Sequence, residues 1–308
     1  VNISPGKKSP FVLREIVFHI NAGCSHDCHC ESISKQYSHH CNGIQKKKSL
    51  SVESIKQWLE PYHEGLVQEI VLTGGNPLEH EEIKEILDYL RKRNFTTKIS
   101  VHYQEADFLR HLIKNTDWLT TCHIELIIPE GFMYKNLTDI QNLSKSTTFT
   151  FLIESVEGYQ RSLEFGEAHS IQDLQHFPIV KDNYSFFQDH LFSNTEDIAH
   201  QNISMDEITY NHNFNLNFIN RLIVDINGAV FANLNFRSIG RINEASIQSI
   251  IADEMERDGA WKMTRHKVEP CANCHFKDLC PPISNYEYAL NKFNTCNFIE
   301  DTKYALKN

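Results

Sequence analysis

Short runs of β-branched and aromatic residues alternate with amphipathic stretches from about residue 15 to 180. The runs Ile16–Ile20, Glu69–Leu72, Lys98–His102, His123–Ile128, Thr148–Ile153 and Pro178–Val180 read as strands. Between them, Val52, Ile55, Trp58 and Leu59 recur at helical spacing after Ser51, which suits a helix cap, and Pro61 stops that helix. Ile83, Ile86, Leu87 and Leu90 mark a second helix. Glu79, Glu81 and Glu82 stand at its start and Arg91, Lys92 and Arg93 at its end, the order the helix dipole favours. A third helix covers Ala106–Asn115, with Phe108, Leu109, Leu112 and Ile113 on its apolar stripe. Strict alternation of strand and helix predicts an α/β fold with a parallel sheet and right-handed crossovers, either a partial (β/α) barrel or a doubly wound sheet.

Residues 181–220 lose this pattern, are rich in Asn, His and Asp, and read as a connecting segment with one short helix near Phe186–Phe192. The style then changes. Arg221–Ile226 and Ala229–Leu234 flank Asn227–Gly228, a two-residue hairpin signal because both turn positions tolerate positive φ. A helix near Ala245–Arg257 follows. The expected division is an N-terminal extension (1–13), a barrel (14–180), a connecting segment (181–220) and a small second domain (221–308).

Composition narrows the classes. The chain has 308 residues, 41% apolar and 23% charged, enough to bury a large core without disulfides. No apolar run reaches the roughly 18 residues of a membrane span. No secretory signal is visible, so a cytoplasmic location is expected, although a chain that begins at Val1 can have lost a preceding segment. Thirty Lys and Arg against 40 Asp and Glu give a net charge of -10, which argues against nucleic acid as the main partner. That balance suits a neutral or basic peptide. The run Lys46–Lys48 reads as a solvated loop.

The chemistry sits in the cysteines. Seven of the nine fall into two tight groups, a clustering that favours metal ligation over disulfides in a chain without a secretory signal. Cys24, Cys28 and Cys30 follow the first strand, where α/β folds and barrels place their sites. Three thiolates leave one position open on a cubic iron–sulfur cluster; a zinc site completed by His26, His29, His39, His40 or Cys41, or thiols without metal, are the alternatives. Cys271, Cys274, Cys280 and Cys296, spaced C-x2-C-x5-C-x15-C, make a closed set of four, for a 4Fe–4S cluster or for zinc. Cys122 reads as an apolar filler. After the second strand, Gly74, Gly75 and Asn76 let backbone approach a small zwitterion closely. His102, Glu125 and Glu154 face the cavity or solvent according to strand register, and Phe18, Phe149 and Phe151 read as packing.

A strand followed by Cys24-x3-Cys28, a second strand followed by Gly74-Gly75-Asn76-Pro77, and the later C-x2-C-x5-C together resemble the radical S-adenosylmethionine (SAM) superfamily with a SPASM-type auxiliary-cluster domain. Leu279-Cys280-Pro281-Pro282, Ser284-Asn285-Tyr286-Glu287 and Tyr37–Cys41 look most like its pseudo-radical-SAM branch, which occurs with ribosomally made, modified peptides. The resemblance implies a partial (β/α)6 barrel with a small Cys-rich metal domain. It also implies a SAM-binding 4Fe–4S cluster on a C-x3-C-x2-C loop. Cys24 and Cys28 match that loop; its third position is Glu31, and Cys30 falls one residue early. Gly74 and Gly75 match the Gly-Gly-Glu motif that holds the amino group of SAM, with Asn76 at the glutamate position. Asn233 and Ser284 stand at ligand positions of one auxiliary cluster, whereas Cys271, Cys274, Cys280 and Cys296 keep all four of the other. Two functions follow from the resemblance. One is a radical SAM maturase acting on a ribosomally made precursor peptide; the other is a non-catalytic protein that binds such a peptide or a partner maturation enzyme.

Overall fold

The computed structural model describes residues 12–22, 30–41, 48–61, 66–116, 119, 121–130, 147–171, 173–200 and 202–297. Its order is β1 (Leu13–His19), α1 (Cys30–Gln36), α2 (Val52–Leu59), β2 (Val67–Thr73), α3 (Ile83–Lys92), β3 (Thr97–His102), α4 (Ala106–Asn115), β4 (His123–Pro129), β5 (Thr147–Ile153), α5 (Val156–Ala168) and β6 (Leu174–Pro178). There follow α6 (Tyr184–His190), α7 (Thr195–Ala199), α8 (Met205–Asn213), β7 (Arg221–Val224), β8 (Ala229–Phe231), β9 (Gly240–Arg241), α9 (Ile247–Glu256) and α10 (Asn285–Leu290). One open sheet runs β6-β5-β4-β3-β2-β1-β7-β8-β9. Strands β1 to β6 are parallel, as the βα alternation requires, and β7 lies parallel to β1 on its other side. The hairpin β7–β8 thus continues the sheet of the barrel.

Alternation along the strands sorts the two faces. Ile16 and Phe18 of β1 join the main core with Ile55, Trp58 and Leu59 of α2 and Ile86, Leu87 and Leu90 of α3. Ser51 caps α2, its hydroxyl accepting from the Ser54 amide at 3.3 Å. Trp58 meets Phe18 edge to face, with ring centroids 6.0 Å apart, and donates its indole N–H to the Ala245 carbonyl at 3.0 Å. That single side chain ties α2, β1 and the C-terminal part together. The other face is lined by residues one step out of phase, among them Glu15, Val17 and Ile223, and carries only small apolar clusters.

Differences from the sequence reading have local causes. The sixth strand lies at Leu174–Pro178, ahead of the expected Pro178–Val180. Val180 is buried but hydrogen-bonds to a side chain: Gln36 accepts from its amide at 2.7 Å and donates to its carbonyl at 3.0 Å. Helix α5 shows little amphipathic contrast, because its buried face is Gly158, Ser162, Phe165 and Gly166. The connecting segment holds three helices instead of one, and two of them begin with capping boxes, Asn194/Asp197 and Ser204/Glu207. The hairpin turn is also longer than expected. Only Gly228 takes positive φ (76°), while the Gly228 amide bonds to Asp225 O at 2.9 Å and the Asp225 carboxylate accepts from the Asn227 and Ala229 amides.

Trp58→Ala removes both the aromatic packing and the indole bond. It is expected to lower the unfolding free energy by about 3–5 kcal/mol, read from urea denaturation, with Trp58→Phe, which keeps an aromatic ring against Phe18, losing less than half as much.

Candidate functional site

The polar residues of the sheet's inner face converge on one imidazole. Glu15 on β1 and Glu125 on β4 are separated by two intervening strands, yet both reach His39: Glu125 Oε2 is 2.8 Å from Nδ1 and Glu15 Oε2 is 3.0 Å from Nε2. Three strand spacings amount to roughly 14 Å. The sheet must therefore curl for both carboxylates to touch one ring, which places His39 inside the barrel. All three groups are buried, with exposures of 5%, 1% and 6% for Glu15, Glu125 and His39. Register supplies the remaining partners. Glu15 lies opposite Arg221 on β7, whose guanidinium donates to it, and Ser100 lies opposite Glu125 and donates at 2.5 Å. Thr150 donates to Glu125 at 2.8 Å, and the Tyr37 hydroxyl donates to the same oxygen.

Two buried carboxylates are balanced by one imidazolium and the Arg221 guanidinium, with the half-exposed Arg14 4.0 Å from Glu15 at the rim, the condition for burying so many charges. Burial alone would lower the His39 pKa; Glu125 and Glu15 overcome it and hold the ring up to about 9. Burial would likewise raise the carboxyls, but Arg221 and His39 bring Glu15, and His39 and Ser100 bring Glu125, well below the usual range. The segment carrying His39 is fastened on several sides. Thr73 at the end of β2 donates to the His39 carbonyl, Gln36 brackets Val180, and Ile33 packs on Ile127, Leu152 and Ile179. Residues 33–41 thus lie across the carboxyl ends of the strands. Nearby, His19 is fully buried and held neutral, its pKa down to about 4, chiefly by burial.

Gly74 and Gly75 have φ of 96° and 50°. A Cβ on Gly74 would stand 2.8 Å from the Asn21 carbonyl oxygen, so this turn needs glycine for close packing against the end of β1. Asn76 is buried and committed locally: its Oδ1 accepts from the Leu78 amide at 3.1 Å, its Nδ2 donates to Glu105 at 2.9 Å, and its carbonyl accepts from Asn21 at 3.0 Å. Both ends of the amide are used within the chain. Asn76 offers no charge to an ammonium, and its Oδ1 keeps one further lone pair for a neutral hydrogen bond.

Cys24 and Cys28 lie outside the described residues, and of Cys30 only its place at the start of α1 is described. Glu31, at the third position of the loop, pairs with Lys35 at 3.0 Å on the exposed side of α1. The later cysteines sit on a frame built around Arg265. Its guanidinium donates to Glu287 at 2.6 and 3.2 Å, to Pro281 O at 3.0 Å, and to Phe293 O at 2.5 Å, and the fully buried Glu287 closes the capping box of α10 with Ser284. Those bonds hold the chain beside Cys280 and Cys296; Cys271 Sγ donates to Phe293 O at 3.4 Å, and Cys274 Sγ accepts from the Phe276 amide at 3.4 Å. Burial pushes the Cys280 thiol up to about 12, against the pull of Arg265 and with added repulsion from Cys296, Cys274 and Cys271. Thiols that raise one another in this way are near neighbours and ionise together only with a cation among them. Among the described residues, one group of three or more His, Cys, Asp or Glu side chains has all its ligand atoms within 4.8 Å of one another, and it is not among the cysteines.

The two positions where the resemblance has further cluster ligands carry hydrogen bonds instead. Asn233 donates to Asn285 at 2.7 Å, Asn285 donates to the Gln36 carbonyl at 3.1 Å, and Ser284 caps α10. Of the other expectations, Glu125 faces the interior, Glu154 pairs with Lys181 at 2.6 Å, and His102 accepts from the Gln104 amide at 3.3 Å. Cys122 and the three phenylalanines are core. Sequence reading missed Glu15, Tyr37, His39 and Arg221 as one group. The available signal was an acid at the edge of one apolar run, Glu15 just before Ile16–Ile20, and an acid inside another, Glu125 within His123–Ile128.

The pH dependence has a definite sign. His39 binds its proton more tightly folded than unfolded, so its stabilisation is complete below pH 6.5 and is lost as pH rises through about 9. The two carboxylates contribute above their unfolded value near 4.5 and lose that contribution as pH falls. Between pH 6.5 and 9 the unfolding free energy should drop by on the order of 2–3 kcal/mol, and His39→Gln should abolish that drop in denaturation curves recorded across the range.

No family model matches the sequence, and no curated protein matches it. Solved structures do match in fold. SuiB of Streptococcus suis bound to its precursor peptide SuiA superposes with a TM-score of 0.60 at 13% identity, over 93% of this chain and 74% of that one. SuiB bound to S-adenosylmethionine gives 0.58 at 12%, over 93% and 76%. The anSMEcpe protein with bound AdoMet gives 0.53 at 12%, over 96% of both chains. No helix among the described residues is long and apolar enough to cross a membrane. With its six parallel strands in sequential order and this superposition over nearly the whole chain, the protein has the fold of the radical SAM enzymes.

Proposed function

We propose that this chain is a non-catalytic peptide-binding or partner protein of ribosomal peptide maturation, built on the radical SAM fold and keeping one auxiliary metal site. The observation that carries the reading is the barrel interior: His39 and Tyr37, from the chain's own segment, occupy it and are clamped by Glu15 and Glu125. Asn76 is neutral and already hydrogen-bonded to Leu78 and Glu105, so a SAM ammonium would find no charged partner there. SuiB holds a precursor peptide on the same fold, and that supports a peptide ligand here.

Cys271, Cys274, Cys280 and Cys296 would hold the auxiliary centre. The donor set is four thiols beside the Arg265–Glu287 pair, spaced with one C-x2-C knuckle where a zinc ribbon has two, which favours a 4Fe–4S cluster over zinc. Such a cluster stores one electron when bound; the chain's part is to fix the four sulfurs and to set a buried guanidinium beside them.

The second reading, a radical SAM maturase, is favoured by the Gly74–Gly75 turn at the carboxyl end of β2. One experiment separates the two. Protein reconstituted anaerobically with iron and sulfide is mixed with SAM and reductant, beside a Cys24→Ala, Cys28→Ala variant. The expected result is about four irons per chain, no 5′-deoxyadenosine above the variant, and binding of a neutral or basic precursor-type peptide by both proteins. Cleavage of SAM that requires Cys24 and Cys28 would establish the maturase instead.

A further inference from the structure

Outside the cysteines, two imidazoles and a carboxylate meet at one point. His212 comes from the last turn of α8, His266 from the short turn Arg265–Lys267, and Asp278 from the loop between Cys274 and Cys280. Their ligand atoms all lie within 4.8 Å of one another. Asp278 Oδ1 is 2.5 Å from His266 Nε2 and 3.4 Å from His212 Nδ1, and the two rings stand 4.1 Å apart between centroids. Nitrogen and oxygen ligands about 2.0–2.2 Å from a zinc-like ion lie roughly 3.0–3.5 Å from each other. The present spacing needs only small side-chain movements to match. Two side-chain nitrogens from separate segments directed at the same carboxylate oxygen make a three-ligand set on one side of an ion.

We infer that His212, His266 and Asp278 form a second, mononuclear metal site for a divalent transition ion of the zinc class. Two imidazoles select against calcium and magnesium, which take oxygen ligands. His212 is more than half exposed and the other two are partly so, leaving the remaining coordination positions to water. The site is a clamp. It joins α8 and the turn beside Arg265 to the cysteine loop, so an ion there restrains the loop that carries Cys274 and Cys280 without using their sulfur.

The test is a cobalt(II) titration of the full chain purified anaerobically, with iron content measured before and after. Wild type should take up one more cobalt ion per chain than His212→Gln, His266→Gln, and the added ion should show ligand-field bands without sulfur-to-metal charge transfer. His212→Gln alone, at an exposed position, keeps the test independent of folding. It should weaken uptake by at least the roughly tenfold that even a change outside the ligand set produces, with iron content unchanged. Equal cobalt stoichiometry and affinity in all three proteins would overturn the site and leave an ordinary His–Asp ion pair. Charge-transfer bands on the added ion would overturn it too, by assigning the ion to the thiols.

Discussion

An imidazolium held between two buried carboxylates is the interaction on which the rest of this structure turns. Parallel strands bring Glu15 and Glu125 to the inner face of a curled sheet, and neither could remain charged there alone. His39 bridges them, Arg221 pairs with Glu15, and Tyr37, Ser100 and Thr150 fill the remaining acceptor sites of Glu125. Removing His39 leaves Glu125 without a cationic partner at low dielectric, so the group depends on that ring. Its functional meaning lies in what it displaces. A barrel of this fold presents its chemistry at the carboxyl ends of the strands, and here the chain's own residues 33–41 are sealed across that end by Thr73, Gln36 and Ile33.

The C-terminal part is fastened to the same segment. Asn285 at the start of α10 bonds to the Gln36 carbonyl, and Asn233 and Asn235 reach Asn285 in turn. Amides occupy a place where the family resemblance has a cluster ligand, so hydrogen bonding joins the two parts there. The retained cysteines rest on a different device, the buried Arg265–Glu287 pair, whose guanidinium reaches the carbonyl of Pro281, next to Cys280, and that of Phe293, three residues before Cys296. Each device is a polar network satisfied by short-range partners, and each fixes a loop that regular secondary structure does not.

What was legible in the sequence followed periodicity and capping. Strands β1 to β5 and helices α2, α3, α4 and α9 announce themselves by strong apolar stripes, and Ser51 marks the start of α2. Helix α5 does not, because its buried face is glycine, serine and a single phenylalanine. Helices α7 and α8 were readable only through their caps, in a stretch whose Asn and His content suggested loop. At the site, the glycine turn after β2 was legible because positive φ demands that residue. The clamp was not. Whether an acid within a strand faces core or solvent depends on register, and His39 lies in a segment without periodicity, brought to Glu15 and Glu125 only by tertiary folding.

The protonation state of His39 tests the central claim most directly. With 15N-labelled histidine, and its signals assigned by their loss in His39→Gln, the ring should carry a proton on both nitrogens at pH 7.5. It should release one only as the pH approaches 9. A ring already neutral at pH 7.5, with one unprotonated nitrogen, would contradict a charged clamp inside the barrel.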